Sequence, residues 1–404
     1  MSGRDPHEAH RAATPLELLY DLTFVIGIGN AAGQLAHLLA EGHFGAGAGA
    51  FIICMVSIVW AWINFSWFSS AYDTDDWVFR LAVMTQMVGV VVLSIGVPRL
   101  FESLDTGAAL ETGAMVFGYV IMRLAMVFLW LRAALQDARH RRTCLIYAFA
   151  IFVAQIGWVL LFAAGLSRHA TYAGMIAMAF VELSAPVFAE RLGEGSPWHA
   201  HHIAERYGLL VIITLGEGVV GTVAAVSAMV QNSGWSSGAI AVCAAGLGVT
   251  FGMWWIYFVL PAAPLLHKYR SRAYVWAYGH IAIFAAVAAV GAGLHVAALF
   301  IDHKAHIDLA ETVLTIAVPL AIYILGVFGL YAWMVRGRDL FHLLLLALTA
   351  AAIALSVAMA QAGYSVVACL GVLTLAPAVS VIGYETVGWA HARLALARAL
   401  GEAD

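Results

Sequence analysis

Ionisable side chains inside long apolar stretches are the residues of this chain best suited to chemistry, because an unpaired charge is costly within a bilayer. Glu17 and Asp21 lie four residues apart early in the first stretch, and Glu217 lies in the seventh. Arg123 lies near the middle of the fourth stretch. A buried Arg is expected to have a carboxylate partner. We expect Glu217 to be that partner by its depth, with Asp21 and Glu182 as alternatives.

The first apolar stretch begins with Thr14-Pro15-Leu16-Glu17, which is a helix start signal. Thr is a good N-cap, Pro suits the first helical position, and a Glu three residues after the cap completes a capping box. Glu17 is therefore either a capping residue or a ligand. Asp21 lies seven residues past the cap, about 10 Å along the axis, where it has no capping role. It shares a helix face with Glu17 because four residues separate them.

A second polar face runs along the same helix at steps of three and four residues, through Tyr20, Thr23, Gly27, Asn30, Gln34 and His37. Lipid does not accommodate such a face, so it must contact protein or water. The pattern predicts either hydrogen bonds between packed helices or one wall of a polar path. On the second interpretation, Asn30 and Gln34 are candidate ligands.

The seventh stretch is the counterpart of the first, because an acidic residue, Glu205, again leads directly into a long apolar helix. Glu217 lies about 18 Å further along the axis, near the middle of a bilayer. The glycines beside it, Gly216 and Gly218, allow a second backbone to approach closely. A carboxylate at this depth must be paired, protonated or hydrated.

Three histidines, His199, His201 and His202, precede the seventh stretch. No Cys or carboxylate stands at convincing ligand spacing, so we expect a solvated interfacial loop rather than a metal site. We predict no catalytic residue, metal ligand or cofactor. The candidate ion- or substrate-binding residues are Glu17, Asp21, Asn30, Gln34, Arg123, Glu205, Arg206 and Glu217.

The elements that position these residues are predicted to be membrane-spanning helices. The chain is 63% hydrophobic and 11% charged, whereas soluble domains carry about 25% charged residues. Apolar runs long enough to cross a hydrocarbon core of about 30 Å recur along the sequence. We predict an all-α polytopic membrane protein with about twelve helices, at 16–40, 46–70, 78–98, 108–131, 143–166, 170–190, 205–230, 237–260, 273–300, 309–335, 341–361 and 364–388.

The distribution of Lys and Arg predicts the orientation of these helices. Of the 20 Lys and Arg residues, sixteen fall on the side of the N-terminus and three, Arg99, Arg168 and Lys304, on the opposite side. Arg123 is the remaining one. Lys and Arg collect in cytoplasmic loops, so both termini are predicted to be cytoplasmic.

The two halves of the sequence resemble each other. Glu17 pairs with Glu205, Cys54 with Cys243, and Ala185-Pro186 with Ala376-Pro377, at nearly constant separation. A steady offset indicates one unit used twice. Six spans is an even number, so the repeats are predicted to be parallel. The predicted organisation is a first six-helix repeat at 1–192, a linker at 193–204, a second repeat at 205–390 and a cytoplasmic tail at 391–404.

The opening E-L-L-Y-D-L-T-F-V, residues 17–25, resembles the E-L-F-F-D-L-V-F-V signature of the bacterial low temperature requirement A (LtrA) family. Residues 202–209, H-I-A-E-R-Y-G-L, followed by L-G-E at 215–217, resemble its H-x-x-E-R-F-G-L…L-G-E-S. Tyr20 and Tyr207 replace Phe, Thr23 replaces Val and Gly218 replaces Ser. The resemblance implies a multi-pass membrane protein linked by name to growth in the cold. The resemblance supports the motif residues as candidate binding-site residues, and it implies no particular activity or substrate.

Three functions are compatible with these patterns. The first is a transporter or an ion- or proton-translocating protein of the bacterial inner membrane, in which Asp21 and Glu217 bind a cation or proton and Arg123 balances them. The second is a membrane-embedded enzyme acting on a lipid or quinone. The third is a structural or sensory protein for cold adaptation. Partners are the lipid bilayer and a small ion or molecule. Nothing in the sequence indicates nucleic-acid binding, and it does not fix the oligomeric state.

Overall fold

A computed structural model describes residues 1, 3–6, 8, 11–336 and 340–400. These residues form helices and connecting loops, without a β-strand among them. The last four residues of the predicted tail, 401–404, lie outside the described part. The all-α fold predicted from composition is confirmed.

Fifteen α-helices follow one another along the described chain. In chain order they are α1 (Pro15–Ala40), α2 (Phe44–Tyr72), α3 (Trp77–Asp105), α4 (Gly113–Gln136), α5 (Arg141–Ala163), α6 (Arg168–Leu192), α7 (Ala200–Ser233), α8 (Ser237–Phe258), α9 (Ala262–Lys268), α10 (Ala273–Ile301), α11 (Leu309–Val335), α12 (Leu340–Gln361), α13 (Val366–Leu373), α14 (Leu375–Gly383) and α15 (Trp389–Leu400).

Twelve helical segments of the described chain are long and apolar enough to cross a membrane. Each corresponds to one of the twelve predicted spans, although the ends differ by several residues. Helix α3 continues through Pro98 to Asp105, beyond the predicted end at 98. Helix α7 begins at Ala200 rather than at Glu205, so the last five residues of the predicted linker are helical. The chain is a multi-pass helical membrane protein.

The chain divides into two compact units. The first consists of residues 1–31 and 49–206, and the second of residues 32–48 and 207–404. Helices α1, α2 and α7 contribute residues to both. The parallel repeats and the cytoplasmic termini remain predictions.

In the first unit, α3 and α4 pack with their backbones in close contact. A Cβ added to Gly89 would lie 2.6 Å from the carbonyl oxygen of Gly118, which is closer than atoms tolerate. Only glycine fits at such a crossing, and small residues are what allow membrane helices to approach each other. This crossing fixes α4 and therefore the position of Arg123, which is buried.

An ion pair between Asp76, which precedes α3, and Arg132 near the end of α4 holds the start of α3. The Asp76 carboxylate accepts hydrogen bonds from the backbone N–H groups of Val78 and Phe79, as an N-cap does. Arg132 of α4 donates to both oxygens of Asp76, at 3.0 and 2.7 Å. These hydrogen bonds from Arg132 lower the pKa of Asp76 below its usual range.

Candidate functional site

The first buried polar cluster of the first unit is centred on Arg206, and we call Glu17, Asp21, His202 and Arg206 the Arg206 network. All four side chains are fully buried. Glu17 is placed by the predicted capping box. Its carboxylate accepts from the backbone N–H of Thr14 at 2.8 Å, and the Thr14 hydroxyl accepts from the Glu17 N–H at 3.3 Å. The cap therefore holds the Glu17 side chain in place.

Arg206 links the two acidic residues of α1. Its Nη1 lies 3.1 Å from Oε1 of Glu17, and its Nη2 donates to Oδ1 of Asp21 at 2.5 Å. Helix α2 supplies neutral donors: the Ser69 hydroxyl donates to Glu17 at 2.6 Å and the Trp62 indole N–H to Asp21 at 2.6 Å. Glu17 is thus both a capping residue and an ion-pair partner, so the two alternatives do not exclude each other.

His202 completes the network. Its Nε2 lies 3.1 Å from Oε2 of Glu17. Helix α7 includes His202 because His199 caps the start of the helix. Nδ1 of His199 accepts from the His202 backbone N–H, as an N-cap side chain does. The solvated loop expected for the histidines is therefore wrong for His199 and His202, which are buried, while His201 is exposed.

Formal charge does not balance in the Arg206 network. Two carboxylates face one guanidinium, so the network carries one net negative charge unless a proton binds to an acid or to His202. Oδ2 of Asp21 is buried and makes no hydrogen bond with the described residues. A buried anionic oxygen without a donor is costly. Protonation of Asp21 removes the excess charge and turns the buried anionic oxygen into a neutral hydroxyl, which costs less to bury than a charge.

The charged groups next to the network do not change this balance. Arg11 donates to the carbonyl oxygens of Ser69 and Ser70 and lies 3.9 Å from the carboxylate of Asp73. These two residues add one charge of each sign. Burial lowers the pKa of Arg11 to about 10, although Glu17 opposes the shift. Burial also raises the pKa of Asp73.

A second buried cluster is centred on Glu182 of α6. Arg123 donates to Oε2 of Glu182 at 2.9 Å, so the partner of Arg123 is the alternative ranked behind Glu217. The preferred expectation was wrong because residue counting gives depth along a helix but not the direction in which a side chain points.

Four neutral donors from three helices complete this Glu182 network. The hydrogen bonds come from Trp60 at 2.6 Å, Tyr119 at 2.6 Å, Gln155 at 3.2 Å and Trp158 at 2.9 Å. Together with Arg123 they give one carboxylate five donors. This network contains one cation and one anion, so it is neutral without an added proton.

A cavity of about 330 Å³ lies beside Glu182. Helices α2 to α6 line it, mostly with apolar and aromatic side chains, and Glu182 is the charged residue of the lining. Ile52 and Ile176 also line it and are 59% and 72% exposed at the surface of the bundle. Because these positions lie within membrane spans, the cavity opens toward lipid.

The polar stripe of α1 is used mainly for packing in the first unit. The Tyr20 hydroxyl donates to Gln86 at 3.1 Å, and the Asn30 amide donates to the carbonyl oxygen of Ser94 at 2.7 Å, both on α3. Thr23 donates to a carbonyl of its own helix. These contacts support the interpretation as interhelical hydrogen bonding.

The other candidates lie apart from these clusters or at their margins. Glu205 is half-buried and accepts from the backbone N–H of Ala13 at 3.3 Å. Gln34 and Glu217 belong to the second unit and are half-buried. The backbone of Glu217 packs against Gly291 of α10, where a Cβ would lie 2.6 Å from it. Among the described residues of the second unit, none makes a hydrogen bond or ion pair with its carboxylate.

Comparison with known proteins places the chain in a family. The model of the bacterial low temperature requirement A protein (LtrA) family matches residues 12–377. The chain belongs to this family. An uncharacterized protein, RA0937 of Rhizobium meliloti (strain 1021), is similar to it, with 26% identity over 282 residues. That match covers 66% of this chain and 65% of the relative. No solved structure matches the chain.

Sequence reasoning missed several members of both networks of this LtrA protein. Trp62, Ser66 and Ser69 of α2 contact the Arg206 network and were not among the candidate residues. Their spacing of four and then three residues puts all three on one face of α2. A polar face on an otherwise apolar helix was therefore a readable signal. Trp60, Gln155 and Trp158 offered no comparable pattern.

Proposed function

We propose that this LtrA protein is a proton-coupled transporter of the bacterial inner membrane and that Asp21 of the Arg206 network is its proton-binding residue. The observation that supports the proposal is the unbalanced charge of a fully buried network, two carboxylates facing one guanidinium. A proton entering this network changes the strength of the ion pair between Asp21 and Arg206. A change of charge at a buried pair is a physical means of shifting a conformational equilibrium.

The network has the polar surroundings that such a switch requires. Glu17 remains paired with Arg206 when Asp21 is neutral, so the guanidinium keeps one partner in both states. The Trp62 indole donates to an oxygen of Asp21 that accepts in either protonation state. The proposal also keeps three expectations from the sequence. They are the duplicated halves, the cytoplasmic termini, and ion- or substrate-binding roles for Gln34, Glu205 and Glu217.

The test measures proton binding without requiring a known substrate. Purified protein in liposomes is adsorbed on a solid-supported membrane, and charge displacement is recorded after steps of pH. We expect a transient displacement for the natural sequence and its loss in Asp21→Asn. Asp75→Asn is the matched control, since Asp75 is exposed outside the spans and paired with Arg80. Equal displacement in Asp21→Asn and the natural sequence would overturn the proposal.

A structural role in the membrane is the second candidate, favoured by the five donors that satisfy Glu182. So complete a set of hydrogen bonds stabilises a helix bundle whether or not anything moves. Complementation of a deletion strain during growth in the cold separates the two functions. Rescue by Asp21→Asn as complete as by the natural sequence favours the structural role.

A further inference from the structure

We propose that the cavity beside Glu182 is a binding site for a lipophilic organic cation that enters from the bilayer. Binding of a cation at this cavity does not rest on the transport proposed above. A role for the cavity as the site of a transported substrate does rest on it. The cavity and the Arg206 network belong to the same unit but share no lining residue.

The size and lining of the cavity fit a small, largely apolar molecule. Its volume of about 330 Å³ lies in the range of about 300–1,000 Å³ that is typical of small-molecule sites. Most of the lining is apolar, so the body of the ligand is apolar too. Exposed side chains at the rim give access from lipid rather than from water.

The expected charge of the ligand follows from which member of the ion pair lines the cavity. Glu182 lines the cavity, whereas its partner Arg123 does not. The cavity wall therefore includes the negative member of the pair and not the positive one. The residues lining the cavity include no Lys, Arg or His, so an anionic head would find no counter-charge there.

Aromatic side chains strengthen this preference for a cation. The lining includes Trp60, Tyr119, Trp158, Phe162 and Tyr172. The faces of such rings attract cations, most strongly those with spread charge that lose little hydration, such as quaternary ammonium groups. A carboxylate among aromatic rings inside an apolar cavity is the combination expected of a site for an amphiphilic amine or a phosphonium.

The test is a binding measurement on the full-length protein in phosphatidylcholine nanodiscs. Tritiated tetraphenylphosphonium is the probe. Decyltrimethylammonium, decanol and decanoate are competitors that share one tail and differ in the charge of the head. We expect decyltrimethylammonium to compete at least about tenfold better than decanol, from cation–π and carboxylate attraction. Decanoate is expected to be the weakest.

Two matched variants of α6 assign the binding to the cavity. Ala179→Phe places a ring in the cavity and leaves both residues of the ion pair unchanged. Ala177→Phe adds the same ring at an exposed position of the same helix that does not line the cavity. We expect about a tenfold or greater loss of probe affinity in the first and none in the second. Glu182→Gln tests the charge, but it also leaves Arg123 unpaired, so the cavity-filling variant carries the decision.

Several outcomes overturn the proposal. Equal competition by decanol and decyltrimethylammonium would make the cavity a groove for any acyl chain. Unchanged affinity in Ala179→Phe would place the cation elsewhere. Absence of probe binding to the natural sequence would remove the site. None of these results bears on charge displacement at Asp21, so the failure of one proposal is distinguishable from the failure of the other.

Discussion

The two buried ionic networks of the first unit use the same chemistry in different proportions. The Glu182 network joins one carboxylate to one guanidinium and adds four neutral donors. The Arg206 network joins two carboxylates to one guanidinium and leaves an oxygen of Asp21 without a donor. A balanced pair is neutral without an added proton, and the carboxylate of Glu182 accepts from five donors. The unbalanced network carries one net negative charge, and a single added proton makes it neutral.

Loss of the guanidinium should lower the free energy of unfolding more than any other change, and the loss should differ between the two networks. Arg206→Met leaves two buried carboxylates without a cation, and we expect a loss of about 5 kcal/mol or more in the free energy of unfolding. Arg123→Met leaves one carboxylate that keeps four donors, so we expect about 3 kcal/mol. Denaturant titration in mixed micelles, followed by tryptophan fluorescence, measures both. Equal losses would show that charge balance does not distinguish the networks.

Neutralising one acid in each network should give different effects. Glu182→Gln leaves Arg123 as an unpaired buried cation and should cost about 3–5 kcal/mol. Asp21→Asn removes the excess negative charge, keeps an oxygen for the Trp62 indole and for Arg206, and should change stability by less than about 1 kcal/mol. The same titration measures both variants. A large loss in Asp21→Asn would mean that Asp21 is needed as an anion.

Replacement of His202 tests which group holds the proton. His202→Gln keeps a donor within reach of Glu17, so we expect a loss of about 1 kcal/mol or less. Charge displacement after a pH step should persist, because Asp21 remains. Loss of displacement in this variant, together with its persistence in Asp21→Asn, would reassign the proton to His202.

The half-buried ion pair between Asp76 and Arg132 at the start of α3 should show the smallest effect on stability and a simple pH dependence. Bonding to Arg132 depresses the folded-state pKa of Asp76. The ion pair therefore stabilises the fold above the unfolded pKa of about 4 and loses this effect as pH falls further. Asp76→Asn should cost about 0.5–1 kcal/mol at neutral pH, because Asn still caps the helix.

Thermal unfolding of Asp76→Asn and the natural sequence at several pH values measures this difference. The gap between their midpoints should narrow below pH of about 4, as the carboxylate is protonated. A gap that widens on acidification would contradict the assigned direction of the pKa shift.

The helices were predictable because the bilayer imposes a length. A backbone in hydrocarbon must satisfy its own hydrogen bonds, so apolar runs of about 20 residues form helices whatever their neighbours are. Ends were harder to predict. Pro98 was taken as the end of α3, but the helix continues through it to Asp105. At α7, His199 caps the helix, and His is not a usual N-cap residue.

The site was predictable as a set of residues but not as a set of pairs. Asp21 and Arg206 were identified from depth and motif, and Arg123 from its isolation among apolar residues. The pairing of Arg123 with Glu182 depends on how α4 and α6 are rotated about their axes. Close backbone contacts such as that of Gly89 with Gly118 fix these rotations, and no single helix contains that information.

The lateral mouth of the cavity beside Glu182 has a consequence for affinity. A ligand that reaches it through the hydrocarbon arrives at its concentration in the membrane, which for an apolar molecule far exceeds that in the buffer. Modest intrinsic attraction then gives substantial occupancy. The same route admits detergent monomers during purification, so measured dissociation constants should vary with the amphiphile used to extract the protein.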